Sequence, residues 1–350
     1  MIWLTWRQFR GAAVMTSVLL VMLAAVLVLT GSQLAADYAT GIASCTRGEE
    51  CLNFYDRFFD AYQIPFLSST LVVLILPALV GLFWGAPLIT RELEADTHLL
   101  VWNQSITRTR WLAVKVGLTG LVAAAAAGIS GLAVTWWSGP LDQSAPEGFA
   151  LMDPLVFSAR GIAPLGYAAF AFVLGLTVGM LVRRTLPAMA LTLAVFVAIQ
   201  IAMPLLVRPH LIPPVTSTIE LGRENVDTLG VGRDGVPKVM LTAAIPGHTG
   251  AWVLSSDLLD PSGRTIARSG EEAVVQGIST TSGPCAQSRV GPQGLDTCMV
   301  EINRLGYRQQ ATYQPLDRFW PIQWIETGIY ALLTLGLTWL SFWWIRRRLS

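Results

Sequence analysis

Residues 161–182 read GIAPLGYAAFAFVLGLTVGMLV and contain no Asp, Glu, Lys or Arg. A helix of about 20 apolar residues is long enough to cross the hydrocarbon core of a bilayer. Five other stretches of similar or greater length also lack these residues: 11–36, 61–90, 116–141, 185–207 and 327–345. A soluble core rarely needs six such runs, so the sequence predicts an integral membrane protein with six spans.

The composition supports this prediction. Apolar residues make up 53% of the 350 residues and charged residues 13%, whereas soluble domains carry roughly 25% charge. The net charge is +1, and no basic stripe suited to a phosphate backbone is present. We therefore expect the lipid bilayer as a partner, and no nucleic acid.

The predicted fold class is an all-α membrane protein with six transmembrane helices and a β-rich extracytoplasmic domain between helices five and six. In that domain, Val, Thr and Ile runs are broken by turn signals, and segments 237–245, 251–256, 264–268 and 298–304 are typical of short strands. The expected boundaries are an interfacial helix at 1–10, spans at about 11–36, 64–88, 112–137, 161–182 and 186–207, a polar loop at 89–111, the outer domain at 208–320, and the sixth span with its tail at 321–350.

Basic residues in short loops predict the orientation, because such residues stay on the cytoplasmic side. Eleven lie at the termini or in the loops between spans two and three and between spans four and five, against three in the two short loops opposite. The protein is therefore expected in a bacterial plasma membrane with both termini in the cytoplasm. The eleven are Arg7, Arg10, Arg91, Arg108, Arg110, Lys115, Arg183, Arg184, Arg346, Arg347 and Arg348, and the three are Arg47, Arg57 and Arg160.

All four cysteines then lie outside, where disulfides persist. Four cysteines permit three pairings. We favour Cys45–Cys51 and Cys285–Cys298, because each closes a short loop at low entropic cost. Four unpaired thiols are the alternative. A metal site is not expected, because no histidine lies near either pair in the sequence.

Two local signals concern the spans themselves. Pro77, Pro187 and Pro204 are candidate kinks, because proline removes a backbone hydrogen bond. Gly175 and Gly179 form a G-x-x-x-G pair that allows close helix packing. We expect that packing within the chain rather than between two copies.

The loop at 87–115, PLITRELEADTHLLVWNQSITRTRWLAVK, is the segment most informative about function. It begins amphipathic and ends in a basic cluster before the third span. A polar helix held between two spans can receive force from a soluble partner, although an ordinary solvated connector explains the same pattern.

This loop resembles the permease subunits of type-2 ATP-binding cassette exporters, especially their actinobacterial branch. The resemblance extends to WLTWRQFR at 3–10 and to GYRQQATYQP, RFWPIQWIETGIY and WWIRRR between 306 and 348. One departure is Asp96, where the broader family often has Gly. The residues that carry the loop pattern are Glu92, Glu94, Asp96, Thr97, Arg108, Arg110, Trp111 and Lys115.

The resemblance implies a coupling helix that docks on a separate ATPase, with the chain acting as half of a dimer, most simply a homodimer. ATP and Mg would be bound by that partner, and this chain would hold no cofactor or metal. Arg108, Arg110 and Lys115 would anchor the entry to span three. The coupling residues would be Arg91, Glu92, Glu94, Asp96, Thr97, Leu99 and Leu100.

No G-x-x-x-x-G-K-[ST] motif occurs in the sequence, so nothing predicts ATP binding by this chain itself. Two polar residues within the spans remain as possible pore or substrate contacts. Glu326 could reach the surface, pair with Arg318 or touch substrate, and pairing is the first expectation. Gln200 more often signals an interhelical hydrogen bond.

Three hypotheses follow. The first is the permease of an exporter that moves a lipid, drug or peptide outward. The second is a signalling or antibiotic-resistance module whose outer domain senses a ligand without transport. The third, a membrane-embedded enzyme, is disfavoured by the missing catalytic set.

Overall fold

The chain divides into two compact units in the computed structural model, which describes residues 2–45, 48–94, 107–146, 148–231, 237–279, 282–286 and 292–347. The membrane unit comprises Met1–Ser144, Pro154–Leu211 and Trp320–Ser350. The strand-rich unit comprises Ala145–Asp153 and Ile212–Phe319. The boundary near 208 therefore shifts by a few residues, and a short segment between spans three and four also joins the strand-rich unit.

The structure confirms six helices that are long and apolar enough to cross a membrane. Within the described ranges they are Ala13–Ser44, Asn53–Glu94, Thr109–Asp142, Ala163–Val182, Thr185–Leu211 and Leu316–Arg347, called spans 1 to 6 below. Because successive spans alternate in direction, the links between spans 2 and 3 and between spans 4 and 5 share one side, called the hairpin side.

The helical elements of the membrane unit extend these spans at both ends. Helix α1 runs unbroken through residues 2–10, so the segment expected as a separate interfacial helix continues into span 1. The elements are α1 (Ile2–Ser44), α2 (Gly48–Leu79), a π-helical turn (Val80–Gly85), α3 (Ala86–Glu94), α4 (Arg108–Asp142), α5 (Pro154–Ser158), α6 (Ala163–Val182), α7 (Thr185–Ala202), a second π-helical turn (Met203–Val207), α8 (Arg208–Leu211) and, after a 3-10 turn at Leu316–Arg318, α10 (Phe319–Arg347).

Both π-helical turns lie beside prolines that the sequence marks as breaks. Pro77 precedes the turn at Val80–Gly85, and Pro204 lies within the turn at Met203–Val207. A proline cannot donate the usual backbone hydrogen bond, and a π turn is one way to accommodate the change in register. Spans 2 and 5 are therefore interrupted helices.

Glycines bring span 4 against the interrupted part of span 2. A Cβ on Gly175 would collide with the carbonyl oxygen of Gly81, and one on Gly179 would lie 2.9 Å from the carbonyl oxygen of Ala86. Only glycine permits this backbone approach. The G-x-x-x-G pair thus packs within the chain, and span 4 is the most buried of the six spans.

The strand-rich unit contains two antiparallel sheets among its described residues. One has the strand order β1-β7-β4-β5 and the other β2-β3-β6. Residues from both sheets and from a helix, α9 (Pro292–Arg304), form its core, with Val239, Leu258 and Ile302 nearly inaccessible. The strands are β1 (Val215–Ile219), β2 (Val226–Val231), β3 (Pro237–Leu241), β4 (Trp252–Leu259), β5 (Thr265–Arg268), β6 (Glu272–Val274) and β7 (Arg308–Gln314).

One predicted strand is wrong. Residues 298–304 lie in helix α9, Pro292–Arg304. The side chains of Cys298, Met299 and Ile302 are buried while that of Val300 is 67% exposed. This burial follows the spacing of a helix rather than the alternation of a strand, so the Val and Ile content misled the prediction.

Of the two expected disulfides, the structure contains Cys285–Cys298. The predicted Cys45–Cys51 disulfide is wrong, because the structure has both residues as thiols. Cys45 directly follows helix α1, and Cys51 lies in the first turn of α2. A short loop lowers the entropic cost of closure. A disulfide also needs the two Cβ atoms to lie within about 4.5 Å and to point toward each other, and loop length does not ensure this.

Candidate functional site

The base of the hairpin between spans 2 and 3 is built around a buried ion pair. Helix α3 ends span 2 and carries Glu92, which is 5% exposed. Lys115 on span 3, also 5% exposed, places its Nζ 2.5 Å from Glu92 Oε1 and 4.5 Å from the ring centre of Trp111. The pair fastens the end of span 2 to the start of span 3.

Glu94 fastens the same helix to span 5. Its Oε1 accepts a hydrogen bond from the backbone N–H of Thr185 at 2.9 Å, and its Oε2 accepts one from the Thr185 hydroxyl at 2.6 Å. Thr185 is the first residue of helix α7, where backbone N–H groups have no partner within the helix. A carboxylate at that position is favoured by hydrogen bonding and by the helix dipole.

The remaining predicted coupling and anchor residues divide into two groups. Arg91 and Arg110 are exposed on this side, and the N-terminus of span 3 is capped by the Thr107 hydroxyl. Asp96, Thr97, Leu99, Leu100 and the side chain of Arg108 lie outside the described residues. The structure thus pairs Glu92 with Lys115 and bonds Glu94 to Thr185. Arg91 and Arg110, which lie close to these residues in the sequence, are exposed.

A second buried site, which the sequence only half predicts, joins spans 4, 5 and 6. Arg208 and Glu326 are both 0% exposed. Arg208 Nε lies 2.8 Å from Glu326 Oε2, and its Nη2 lies 3.0 Å from Oε1, so the contact is bidentate. The Tyr167 hydroxyl donates to Glu326 Oε1 at 2.5 Å. We call these three residues the Arg208 cluster.

The other donors of Arg208 reach helix α5, which precedes span 4. Nη1 donates to the carbonyl oxygen of Pro154 at 3.2 Å, and Nη2 donates to the Ser158 hydroxyl at 3.0 Å. The guanidinium also lies 4.2 Å from the ring centre of Phe157. Every nitrogen of this buried cation therefore has a partner, as a charge in a membrane requires.

Glu326 forms an ion pair, as expected, but its partner is Arg208 and not the predicted Arg318. Arg318 instead donates to the carbonyl oxygen of Pro213 and to Gln314 Oε1. Eight residues along one helix separate Arg318 and Glu326 by about 12 Å, which is too far for an ion pair. Gln200 accepts a hydrogen bond from the Tyr330 hydroxyl at 2.7 Å, and this contact links spans 5 and 6.

A second buried arginine, Arg160, lies two residues after helix α5 and is also 0% exposed. Its Nη1 donates to the Thr70 hydroxyl at 3.2 Å, and its guanidinium lies 4.9 Å from the ring centre of Phe66. Nε and Nη2 have no hydrogen-bond partner among the described residues. Burial lowers the pKa of Arg160 to about 10, and the charge of Asp142 opposes that shift, so the side chain is a cation at neutral pH.

Asp142 is the acidic neighbour of Arg160, and it is equally incomplete. Its Oδ2 accepts a hydrogen bond from the Ser138 hydroxyl at 2.8 Å, whereas Oδ1 has no partner among the described residues. The two charges attract each other but form no hydrogen bond. We call Arg160 and Asp142 the Arg160 pair.

Comparison with known proteins gives one match. A family model described as ABC-2 membrane transporter related matches residues 17–208, a little over half of the chain. No curated protein and no solved structure matches significantly. The matched region contains spans 2 to 4, most of spans 1 and 5, the hairpin base and both buried arginines.

Proposed function

Because the chain belongs to the ABC-2 membrane transporter related family, we propose that it is the permease subunit of an exporter driven by a separate ATPase. Family membership makes it a multi-pass, non-enzymatic membrane component of a transporter. ATP hydrolysis by the partner ATPase would move a substrate outward, and two copies of this chain would form the path across the membrane.

The hairpin base is the observation that carries the proposal. Glu92 bonds to Lys115 on span 3, and Glu94 bonds to Thr185 on span 5. A force applied to the loop after α3 would therefore reach three spans at once. An ordinary connector needs no such bracing, because a solvated loop is free to move independently of its neighbours.

We propose that the hairpin side faces the cytoplasm, where the ATPase would bind. Exposed arginines on this side follow the charge bias of cytoplasmic loops. They include Arg91, Arg110, Arg183, Arg184, Arg346 and Arg347.

The substrate class proposed is a lipid, a drug or an apolar peptide. The polar groups that could have recognised a charged substrate within the spans, Glu326 and Gln200, are bonded to Arg208 and Tyr330. Recognition would then depend on apolar surface, which favours a substrate that partitions into the membrane.

Co-expression with the ATP-binding subunits encoded in the same genome tests the proposal. We expect the two proteins to co-purify and the permease to stimulate ATP hydrolysis severalfold. Glu94→Gln weakens the brace to span 5 and should lower that stimulation without preventing co-purification. Glu271→Gln is the matched control, because Glu271 also accepts a backbone N–H bond but lies in the strand-rich unit.

A permease that neither binds the ATPase nor changes its rate would refute the proposal. Labelling of a cysteine introduced at Arg91 from the cell exterior would invert the orientation and refute it as well.

A second candidate, a sensing or resistance module that does not transport, is favoured by the strand-rich unit. That unit has its own buried core and a disulfide, which a simple loop between spans would not need. Uptake of fluorescent lipid or drug into inverted vesicles separates the two candidates. ATP-dependent uptake supports the exporter, whereas ATP hydrolysis without uptake supports the sensing module.

A further inference from the structure

Among the residues that the structure describes, three buried polar atoms of the Arg160 pair have no hydrogen-bond partner. They are Arg160 Nε and Nη2 and Asp142 Oδ1. Nε and Nη2 form the edge of a guanidinium that binds a carboxylate through two parallel hydrogen bonds. A buried charge without partners is unfavourable by several kcal/mol, so an arrangement that satisfies these atoms would be strongly preferred locally.

Arg160 is held firmly by the backbone that follows it. Gly161 has φ +60° and donates its N–H to the Thr135 hydroxyl at 2.7 Å. The next two N–H groups, of Ile162 and Ala163, both donate to Gln323 Oε1, at 3.1 and 2.7 Å. These bonds attach the start of span 4 to spans 3 and 6, so the position of Arg160 is fixed within the membrane unit.

Asp142 lies on the last turn of span 3, two residues after a proline within the helix. Pro140 lies inside helix α4 and removes one backbone hydrogen bond. A Cβ on the preceding residue, Gly139, would meet no atom within 4 Å. Leu141 on the same turn is fully buried, so the turn is packed, and any movement would be between packed positions rather than fraying.

The chain between the two charges belongs to the strand-rich unit. Ala145–Asp153 is part of that unit, and its Met152 N–H donates to the carbonyl oxygen of Gly250 at 3.1 Å. Asp142 lies three residues before this segment, and Arg160 lies seven residues after it. The Met152 bond therefore holds the middle of the chain segment that joins the two charges.

We propose that Asp142 and Arg160 form a two-position latch between the ends of spans 3 and 4. In the present conformation the latch is open, and Asp142 is bonded to Ser138. In the second conformation the last turn of span 3 moves and the carboxylate accepts both hydrogen bonds from the free edge of Arg160.

Pulsed electron paramagnetic resonance on the purified chain in nanodiscs tests the latch without any ATPase. Nitroxide labels at Gln143→Cys and Leu186→Cys, in a Cys45→Ser and Cys51→Ser background, lie at opposite ends of the spans. Their separation is of the order of the 30 Å hydrocarbon core, which suits the method. We expect two distance populations in the otherwise unchanged chain.

Asp142→Asn and Arg160→Lys should each lower the ratio of latched to open population roughly tenfold, because each removes a charge-assisted contact. Asp37→Asn is the matched control, since Asp37 also accepts a hydrogen bond, from the Tyr62 hydroxyl at 2.6 Å. It should leave the ratio unchanged. Arg160→Lys keeps the charge and decides the result if Asp142→Asn does not fold.

A single distance in the unchanged chain would overturn the latch. So would two populations whose ratio is the same in both variants. Because the measurement needs neither ATP nor a second protein, failure of the latch is distinguishable from failure of the exporter proposal.

Discussion

Arg208 and Arg160 are both fully buried and both lie over a phenylalanine ring, yet their surroundings differ. Arg208 uses its guanidinium nitrogens on Glu326, Pro154 and Ser158. Arg160 has one hydrogen bond, to Thr70, and two nitrogens without a partner among the described residues. Helix α5 and the two residues after it contribute to both sites.

The difference indicates that the two arginines have different roles. Breaking a buried ion pair leaves an uncompensated charge, so the Arg208 cluster should behave as a permanent joint between spans 4, 5 and 6. The Arg160 pair lacks the contacts that make such a joint stable. Arg160 is fixed by its backbone, but the Asp142 carboxylate is held by one hydrogen bond, to Ser138, so it can change position as a switching element must.

Arg208→Met should have the largest effect. It leaves Glu326 buried without its cation, and we expect a loss of about 3–5 kcal/mol in stability. Thermal unfolding in detergent measures the loss. Arg318→Met is the control, because Arg318 also donates two hydrogen bonds but only at the edge of the fold. Equal losses for the two variants would contradict the joint.

The double variant Arg208→Met with Glu326→Leu should recover at least half of the stability lost in Arg208→Met alone. Replacing a whole buried ion pair by apolar residues of similar volume is often close to neutral. The same unfolding measurement, completed with Glu326→Leu alone, gives the coupling between the residues. Additive losses would show that the two charges do not act as a pair.

Tyr167→Phe should have a smaller effect on the same cluster. It removes the hydroxyl that donates to Glu326 Oε1, which we expect to lower stability by about 1–2 kcal/mol. Tyr313→Phe is a suitable control, since its hydroxyl bonds to His248 in the strand-rich unit. A loss as large as that of Arg208→Met would mean that the ion pair contributes little beyond the tyrosine.

Arg160→Met should have the smallest effect, below about 1 kcal/mol. The methionine fills similar space and removes a buried cation with two unbonded nitrogens, and this relief offsets the lost attraction to Asp142. Unfolding of this variant beside Arg208→Met tests the central contrast directly. A loss comparable with that of Arg208→Met would show that Arg160 has a stabilising environment and would remove the basis for calling it the weaker site.

Much of the fold was predictable because a bilayer restricts what a chain can do. Uncharged runs of sufficient length become spans, and turn signals between Val-rich and Thr-rich runs indicate strands. Cys285 and Cys298 could be paired from their spacing. The helix at Pro292–Arg304 was missed because Val300 and Ile302 suggest a strand when the burial of each position is unknown.

The candidate site was only partly predictable. Glu92, Glu94 and Lys115 stood out because charges close to a span boundary are conspicuous. Arg208 is not conspicuous in the sequence, because it directly follows an uncharged run and begins the predicted outer domain. One signal could have found it: a carboxylate as deep as Glu326 requires a cation at similar depth on another span.

From the sequence alone came the number of spans, the position of the polar hairpin and the presence of a strand-rich insertion, because hydrophobicity and turn chemistry act locally along the chain. Only the tertiary structure decided which charges meet. Glu326 pairs with Arg208 rather than Arg318, and Arg160 Nε and Nη2 have no hydrogen-bond partner in the described part of the chain. Such pairings depend on how helices distant in sequence pack, and a hydrogen bond forms or fails within a fraction of an ångström.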